Sequence, residues 1–441
     1  MKKRAGVMDI EQLVRPEKVH HRVYNDPEIF NLELKKIFSV AWIYVGHGSQ
    51  VSEIGDFFCT KIAGQPVVMT RHKDNKIRVL YNRCAHRGAQ VVSPESGNAE
   101  TFRCCYHGWE YGTDGALIAL PQPRGYDGSS VLIDNPDYSM GLVPRFAEYR
   151  GFVFASLCST GPTLEEFLGP VTKSIDDLVD RAPDGEVEVA GGIARHLYCG
   201  NWKLVYENLC DGLHPNCVHR SSIEAAQEQD DSVFSDGAGN IGIRQMRQNG
   251  APWEFWENQV GLWAYPHGHS LLGDYHDDEK LVASKNDPSF NDYLLAMEAA
   301  KGKDRAKEIL GVTLWNTNIY PSISFMSQFR QLRVIRPLSV DKTEVLGFCF
   351  RLKGAPENMF RDTINFANIT NSVASPVLTD DLEIYSRISS GLKAEGNEWI
   401  ATARGIGRDR REKDGGWIAE NGLSELHIRN MFDTWMSYMV A

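Results

Sequence analysis

Several features are missing from this sequence. It has no run of about 18 apolar residues, so no membrane span is expected. Its opening "MKKRAGVMDIEQLV" is basic at first, but Asp9, Glu11 and Gln12 interrupt the apolar stretch a signal peptide needs. Positive charge is not in excess. Lys and Arg number 47 against 58 Asp and Glu, a net of -11, which disfavours a general binder of nucleic acid. Internal repeats and low-complexity segments are lacking. Cysteine is sparse and odd in number, nine in 441 residues at irregular spacing, so a disulfide framework is not expected. These absences leave a cytoplasmic protein with reduced thiols, acting without membrane or nucleic acid.

What is present is ordinary in bulk and unusual in detail. Hydrophobic residues make up 42% and charged residues 24%, as in a globular enzyme. A chain this long exceeds one core, so two domains are expected. "DPEIFNLELKKIFSVAW" (26–42) has helical spacing of its apolar residues. From Val45 to Cys158, short β-rich runs such as "QPVVMTR" and "GFVFASL" alternate with turns such as "GTDG". Beyond "STGP", helical periodicity returns in "TLEEFLGPVTKSIDDLVDR". "SISFMSQFRQLRVIRP" and "TEVLGFCFRLKG" read as strands, "PENMFRDTINFANI" and "ELHIRNMFDTWMSYM" as amphipathic helices. The expected class is α+β. A helical segment 1–42 packs on the second domain, an all-β domain covers 43–160, and a mixed domain covers 161–441. "RGIGRDRREK" reads as a solvated basic loop.

"YNRCAHRG" and "FRCCYHGW" carry Cys84, His86, Cys104 and His107, with 17 residues (87–103) between the inner pair. A zinc finger groups Cys with Cys and His with His. Here each loop offers one of each. That order suits a two-iron cluster with both thiolates on one iron and both imidazoles on the other, a Rieske [2Fe–2S] centre. Gly88 and Gly108 permit tight turns, and Trp109 is expected beneath the cluster. Cys105 is a bystander in this reading. A zinc knot is the alternative.

"NWKLVYENLCDGLHPNCVH" (201–219) opens as a helix. Asp211 and His214 are three apart and would share its face, and Pro215 would break the helix just after His214. That break could bring His214 and His219 to one point. Two His and a carboxylate form the facial triad of non-haem Fe(II) oxygenases. Cys210, His214, Cys217 and His219 offer a zinc site instead. An electron-transfer cluster upstream favours iron, since zinc has no use for electrons.

Together, "CAHRG", "CCYHGW" and D-x2-H-x4-H resemble the motifs of the large (α) subunit of Rieske non-haem iron aromatic-ring-hydroxylating oxygenases, and "GNWKLVYEN" and "FDTWMSYM" fit as well. The resemblance implies an N-terminal Rieske domain and a C-terminal helix-grip domain with Fe(II). It implies α3β3 assembly with a small β subunit, and electrons from NAD(P)H through a reductase, with or without a ferredoxin. It makes Asp211 the bridge between a Rieske histidine of one subunit and an iron histidine of the next. It places the third iron ligand in a late Asp pair, here in "SPVLTDDLEIYSRI". Asp381 is preferred over Asp380 because the Leu378, Leu382 and Tyr385 stripe puts it near the buried side. Asn208 matches a position close to the iron. Arg333 is read as a sheet arginine in an ion pair, with a substrate carboxylate as the other possibility. The expected activity is hydroxylation or dihydroxylation of an aromatic ring with O2. The rivals are a Rieske monooxygenase or O-demethylase, a Rieske electron carrier and a zinc-stabilised interaction protein.

Overall fold

The computed structural model describes residues 10–133, 135–229, 240–276, 288–394 and 396–441. The chain divides into a unit spanning Phe38–Glu166 and one joining Met1–Ile37 to Phe167–Ala441. The smaller unit thus begins before residue 43 and ends after residue 160. Trp42 shows why. Its indole donates to the Pro162 carbonyl at 3.0 Å, and the Arg145 guanidinium lies 4.8 Å over its ring.

Three small antiparallel sheets build the smaller unit. Asp56–Ile62 and Gln65–Arg71 pair across the Ala63–Gly64 turn, where both residues have positive φ, 51° and 80°. Such a two-residue turn matches the natural twist of the strands. Gln65–Arg71 also pairs with Ile77–Tyr81, and Asp56–Ile62 with Ser96–Asn98. Thr101–Arg103, Glu110–Gly112 and Leu117–Ala119 form a second sheet. Ile43–His47, Phe152–Ser156 and Arg145–Tyr149 form the third. Phe57, Val68, Leu80, Trp109 and Tyr111 share one core with Cys84 and Cys104.

The larger unit is built on a nine-stranded antiparallel sheet. From one edge its strands are Val187–Cys199, Lys342–Leu352, Gln331–Ser339, Ile323–Met326, Val312–Ile319, Ser270–His276, Gly261–Ala264, Trp417–Ile418 and Arg410–Arg411. Helix Pro376–Gly391 starts where Ser375 accepts the Leu378 N–H and Pro376 occupies the first turn. It packs on the edge strand, with Tyr385 against Tyr198 at 4.8 Å and the Ser389 hydroxyl donating to the Cys199 carbonyl at 3.1 Å. Helix Trp202–Asn208 is capped by the Asn201 side chain and lies against strand Gln331–Ser339. Leu426–Val440 forms the last helix. The class is α+β, as the sequence indicated.

The periodic stretch from residue 26 is helical over Pro27–Glu33 and Leu34–Phe38, but the segment before it, read as part of the same helical arm, contains strands. Strands Val14–Arg15 and Lys18–His20 pair with each other and with Trp399–Ala401 before helix Pro27–Glu33 begins. That helix delivers Glu33 to a site where it and Lys203 are both fully buried. The Glu33 carboxylate accepts from Lys203 Nζ, from Trp435 Nε1 at 2.7 Å and from Trp202 Nε1 at 2.8 Å. One acid thereby ties three distant helices of the larger unit together. A buried pair tolerates burial only when every partner is present. Glu33→Leu strands a buried ammonium and should lower stability by about 3 kcal/mol or more, read from the denaturant midpoint. The double variant Glu33→Leu/Lys203→Met should recover a clear part of that loss.

Candidate metal centres

The two cysteine–histidine loops share one backbone pattern. Cys84 N–H donates to the Ala89 carbonyl at 2.8 Å, and Gly88 N–H to the Cys84 carbonyl at 2.9 Å. Cys104 N–H donates to the Trp109 carbonyl at 2.8 Å, and Gly108 N–H to the Cys104 carbonyl at 3.0 Å. Each loop closes through a glycine in the left-handed region, φ 76° at Gly88 and 68° at Gly108, which a side chain would strain. Both thiols are buried, at 2% and 3% exposure, whereas His86 is half-buried and His107 exposed. The imidazoles meet with centroids 4.5 Å apart. Trp109 stacks on His86 at 5.0 Å, almost parallel. Tyr111 Oη lies 3.2 Å from Cys84 Sγ and accepts the Ala85 N–H at 3.1 Å.

Two thiols within and two imidazoles without match the two ends of a two-iron cluster. His86 Nδ1 is buried with no hydrogen-bond partner, as a metal-binding nitrogen would be in the absence of its ion. Cys105 faces outward and is exposed. Arg83, Arg87 and Arg103 are exposed beside the loops.

In the larger unit, His214, His219 and Asp381 place one ligand atom each within 4.8 Å of one another. Nε2 of His214 and of His219 lie 3.8 Å and 3.4 Å from Asp381 Oδ1. The other ring nitrogens are engaged elsewhere. His214 Nδ1 lies 2.9 Å from the Asp211 carbonyl, which can only accept, so Nδ1 carries the proton. His219 Nδ1 lies 3.4 Å from Asp380 Oδ2. Such bonds leave the Nε2 lone pairs directed at the common point, the usual orientation for metal-bound histidine. Asn208 Nδ2 donates to Asp381 Oδ1 at 3.1 Å and fixes the carboxylate. Two nitrogens and one oxygen, with a cavity of about 90 Å³ beside them, suit a metal with open positions.

Asp211 departs from the expected picture in one respect. It does not share a continuous helix with His214. Helix Trp202–Asn208 stops before it, and a new helix runs His214–Val218. Asp211 Oδ1 accepts the Leu213 N–H at 2.8 Å, a side-chain turn that competes with helical bonding. Pro215 therefore sits in the first turn of a helix, where it fits, and does not end one. The Asp211 carboxylate is 4.0 Å from His214 Nδ1, so its carbonyl makes the close contact. Cys210 is buried, with its thiol 3.7 Å from the Asn316 carbonyl, and Cys217 is exposed. Neither joins the ligand group, so the zinc set Cys210, His214, Cys217 and His219 is not assembled.

Arg404 was missed. It opens the basic loop read as solvated, yet its Nη2 donates to Asp211 Oδ1 at 3.1 Å. Its Nη2 also lies 3.7 Å from Glu425 Oε1. Arg408 in the same loop does fit that reading, exposed and paired with Glu420. No local pattern separates the two arginines. Asp380, the rival ligand in the sequence, lies instead against His219 Nδ1.

Residues 41–138 match the Rieske [2Fe-2S] domain family, and residues 184–440 match the family described as ring hydroxylating alpha subunit (catalytic domain). The chain belongs to the ring-hydroxylating α subunits. The α subunit of toluate 1,2-dioxygenase from Pseudomonas putida is 34% identical over 85% of this chain and 79% of that protein. The large subunit of 2-halobenzoate 1,2-dioxygenase from Burkholderia cepacia is 32% identical over 87% of this chain and 79% of that protein. The fold is that of naphthalene 1,2-dioxygenase solved with indole in its active site, with a TM-score of 0.81 at 23% identity over 98% of this chain and 94% of that one. A ring-hydroxylating α subunit carries a Rieske cluster and a mononuclear iron. The two donor sets above have the chemistry for one each.

Cys104→Ser should abolish the visible absorption of the cluster, and Cys105→Ser should leave it in place. Absorption spectra of the two purified variants check this. Loss of colour in the second would transfer the ligand role to Cys105.

Proposed function

We propose that Cys84, His86, Cys104 and His107 hold the [2Fe–2S] cluster, and that His214, His219 and Asp381 hold Fe(II). The observation that carries this is the convergence of two imidazole Nε2 atoms and one carboxylate oxygen beside a cavity, in a chain that also bears the paired Cys–His loops. When bound, the cluster supplies electrons and the iron activates O2 for attack on an aromatic ring. The chain's own residues orient and insulate. Asn208 and the two Nδ1 contacts set the ligand atoms. Arg404 and Leu213 hold Asp211 Oδ1, which leaves Oδ2 available to a Rieske histidine of a neighbouring subunit. These contacts support Asp211 as the bridge between metals. No step is assigned to Asn208 beyond positioning.

Relatives named for toluate, 2-halobenzoate and anthranilate support an aromatic carboxylate as substrate and cis-dihydroxylation as reaction. Relatives named as large or α subunits support a small β subunit, with α3β3 as the proposed assembly. A reductase using NAD(P)H, with or without a ferredoxin, would deliver electrons, and exposed Arg83, Arg87 and Arg103 suit an acidic donor. None of the nine cysteines is in a disulfide, which supports a reducing compartment such as the cytoplasm. Among the described residues, no helix is long and apolar enough to cross a membrane.

The test is product analysis under 18O2 with reconstituted electron donors. Incorporation of both atoms into a diol is expected. Incorporation of one atom would make the protein a monooxygenase.

Asp211→Asn keeps the shape but removes the charge and presents a donor at one end. Cluster and iron contents should be largely retained. Oxidation of the pre-reduced cluster, followed by its absorbance in the presence of substrate and O2, should slow by about 10- to 100-fold, the loss typical when a hydrogen-bond partner of a metal-bound histidine is changed. A wild-type rate would refute the bridge. Complete loss of the iron would make Asp211 a ligand and displace Asp381.

A further inference from the structure

Arg333 lies on strand Gln331–Ser339, the third from one edge of the nine-stranded sheet. It is opposite Ser324 on one neighbouring strand and Gly347 on the other, and Gly347 is opposite Ala194. Residues in register across a sheet project from the same face. The row Ala194, Gly347, Arg333, Ser324 therefore holds one long side chain among residues that have almost none. Space opens beside the guanidinium as a result. A cavity of about 310 Å³ is lined by Ala194, Gly347, Arg333, Leu378 and Tyr385 and reaches Asp381. The smaller cavity at His214 and His219 is also bordered by Arg333 and Asp381. Arg333 and Asp381 stand at the junction of the two.

Among the described residues its charge has no ion-pair partner. Arg333 Nη2 donates to Asn316 Oδ1 at 2.7 Å and to Ser324 Oγ at 3.3 Å, both neutral. Nε is buried without a partner, and Nη1 has none among the described residues. The ion pair expected for a sheet arginine is not formed, because Ser324 and Gly347 occupy the positions where an acid would stand. Burial pushes the guanidinium down to about 10, which leaves it cationic at neutral pH. Asp381 acts on it only at longer range and is committed to His219, His214 and Asn208. His196, in the same cavity, is pushed down to about 4 by burial and then by Arg333, so it adds no charge. A buried cation without a partner is costly, and a carboxylate is the ligand a guanidinium fork suits best.

We propose that Arg333 binds the carboxylate of the substrate, holding its ring in the 310 Å³ cavity with the reacting edge toward Asp381. The proposal rests on the oxygenase reading above and names the residue that selects among aromatic substrates. Arg333 is a specificity residue in it, acting by charge and position, with no part in the oxidation itself.

The test compares benzoate with benzamide, and 2-naphthoate with its amide, on purified holoprotein. Binding is read by calorimetry and turnover by KM and kcat. The wild type should bind each acid roughly tenfold or more tighter than its amide, the scale of a charge-assisted hydrogen bond. Arg333→Gln should bring that ratio close to one, with the change in KM exceeding that in kcat, and Arg333→Lys should recover part of it. An unchanged ratio in Arg333→Gln overturns the proposal. So does a wild-type ratio near one, which decides the matter even if the glutamine variant does not fold. Wild type that oxidises toluene with 18O2 yet shows no acid preference keeps the oxygenase reading and removes Arg333 from it. Wild type that prefers acids in an Arg333-dependent way but incorporates no oxygen keeps the binding site and removes the oxygenase.

Discussion

The larger unit turns on one constraint: two imidazoles must present Nε2 to the same carboxylate oxygen. His219 and Asp380 are 161 positions apart, yet 3.4 Å separates their polar atoms. The arrangement exists because each Nδ1 is engaged. The Asp211 carbonyl fixes one ring and Asp380 the other. For the first contact, the chain must leave helix Trp202–Asn208 before Asp211 and start another at His214. For the second, helix Pro376–Gly391 must lie along the sheet edge in one rotational setting, which the Ser375 cap and the Tyr385–Tyr198 packing define. Adjacent acids then serve opposite purposes, Asp381 at the common point and Asp380 behind His219.

Buried charge is handled in two ways. Glu33 and Lys203 neutralise each other, and two indoles complete the carboxylate's hydrogen bonding. That pair is structural and closed. Arg333 is only partly buried, and it faces neutral partners and open space. Asp211 lies between these cases, with Oδ1 taken by Arg404 and Leu213 and Oδ2 without a hydrogen bond among the described residues.

The smaller unit solves a simpler problem by using one solution twice. Each ligand loop leaves a strand, turns through a positive-φ glycine and closes on its own cysteine. The histidine comes two residues after the first cysteine and three after the second. The loops therefore bring thiols inward and imidazoles outward from local geometry alone, and Trp109 and Tyr111 seal the inner side.

Local chemistry was legible in the sequence for the same reason. Cys84, His86, Cys104 and His107 stand on two short loops that fold alike, and His214 and His219 are close enough to be read as a pair. The α+β class followed from periodicities within single elements. Longer-range features needed the folded chain. An Asx turn at Asp211 moved a helix end that periodicity had run onward, and strand pairing with Trp399–Ala401 took over part of a segment read as helical. Arg404 and Arg408 look alike in one basic loop, but only Arg404 reaches Asp211. Arg333 looks like any sheet arginine until register sets Ser324 and Gly347 beside it. The sequence by itself determined which residues could bind metal and where the elements that carry them lie, because those depend on neighbours a few positions away. Only the tertiary structure decided which charges are answered and which are not, because a partner's identity depends on strand register and helix rotation between residues far apart in the chain.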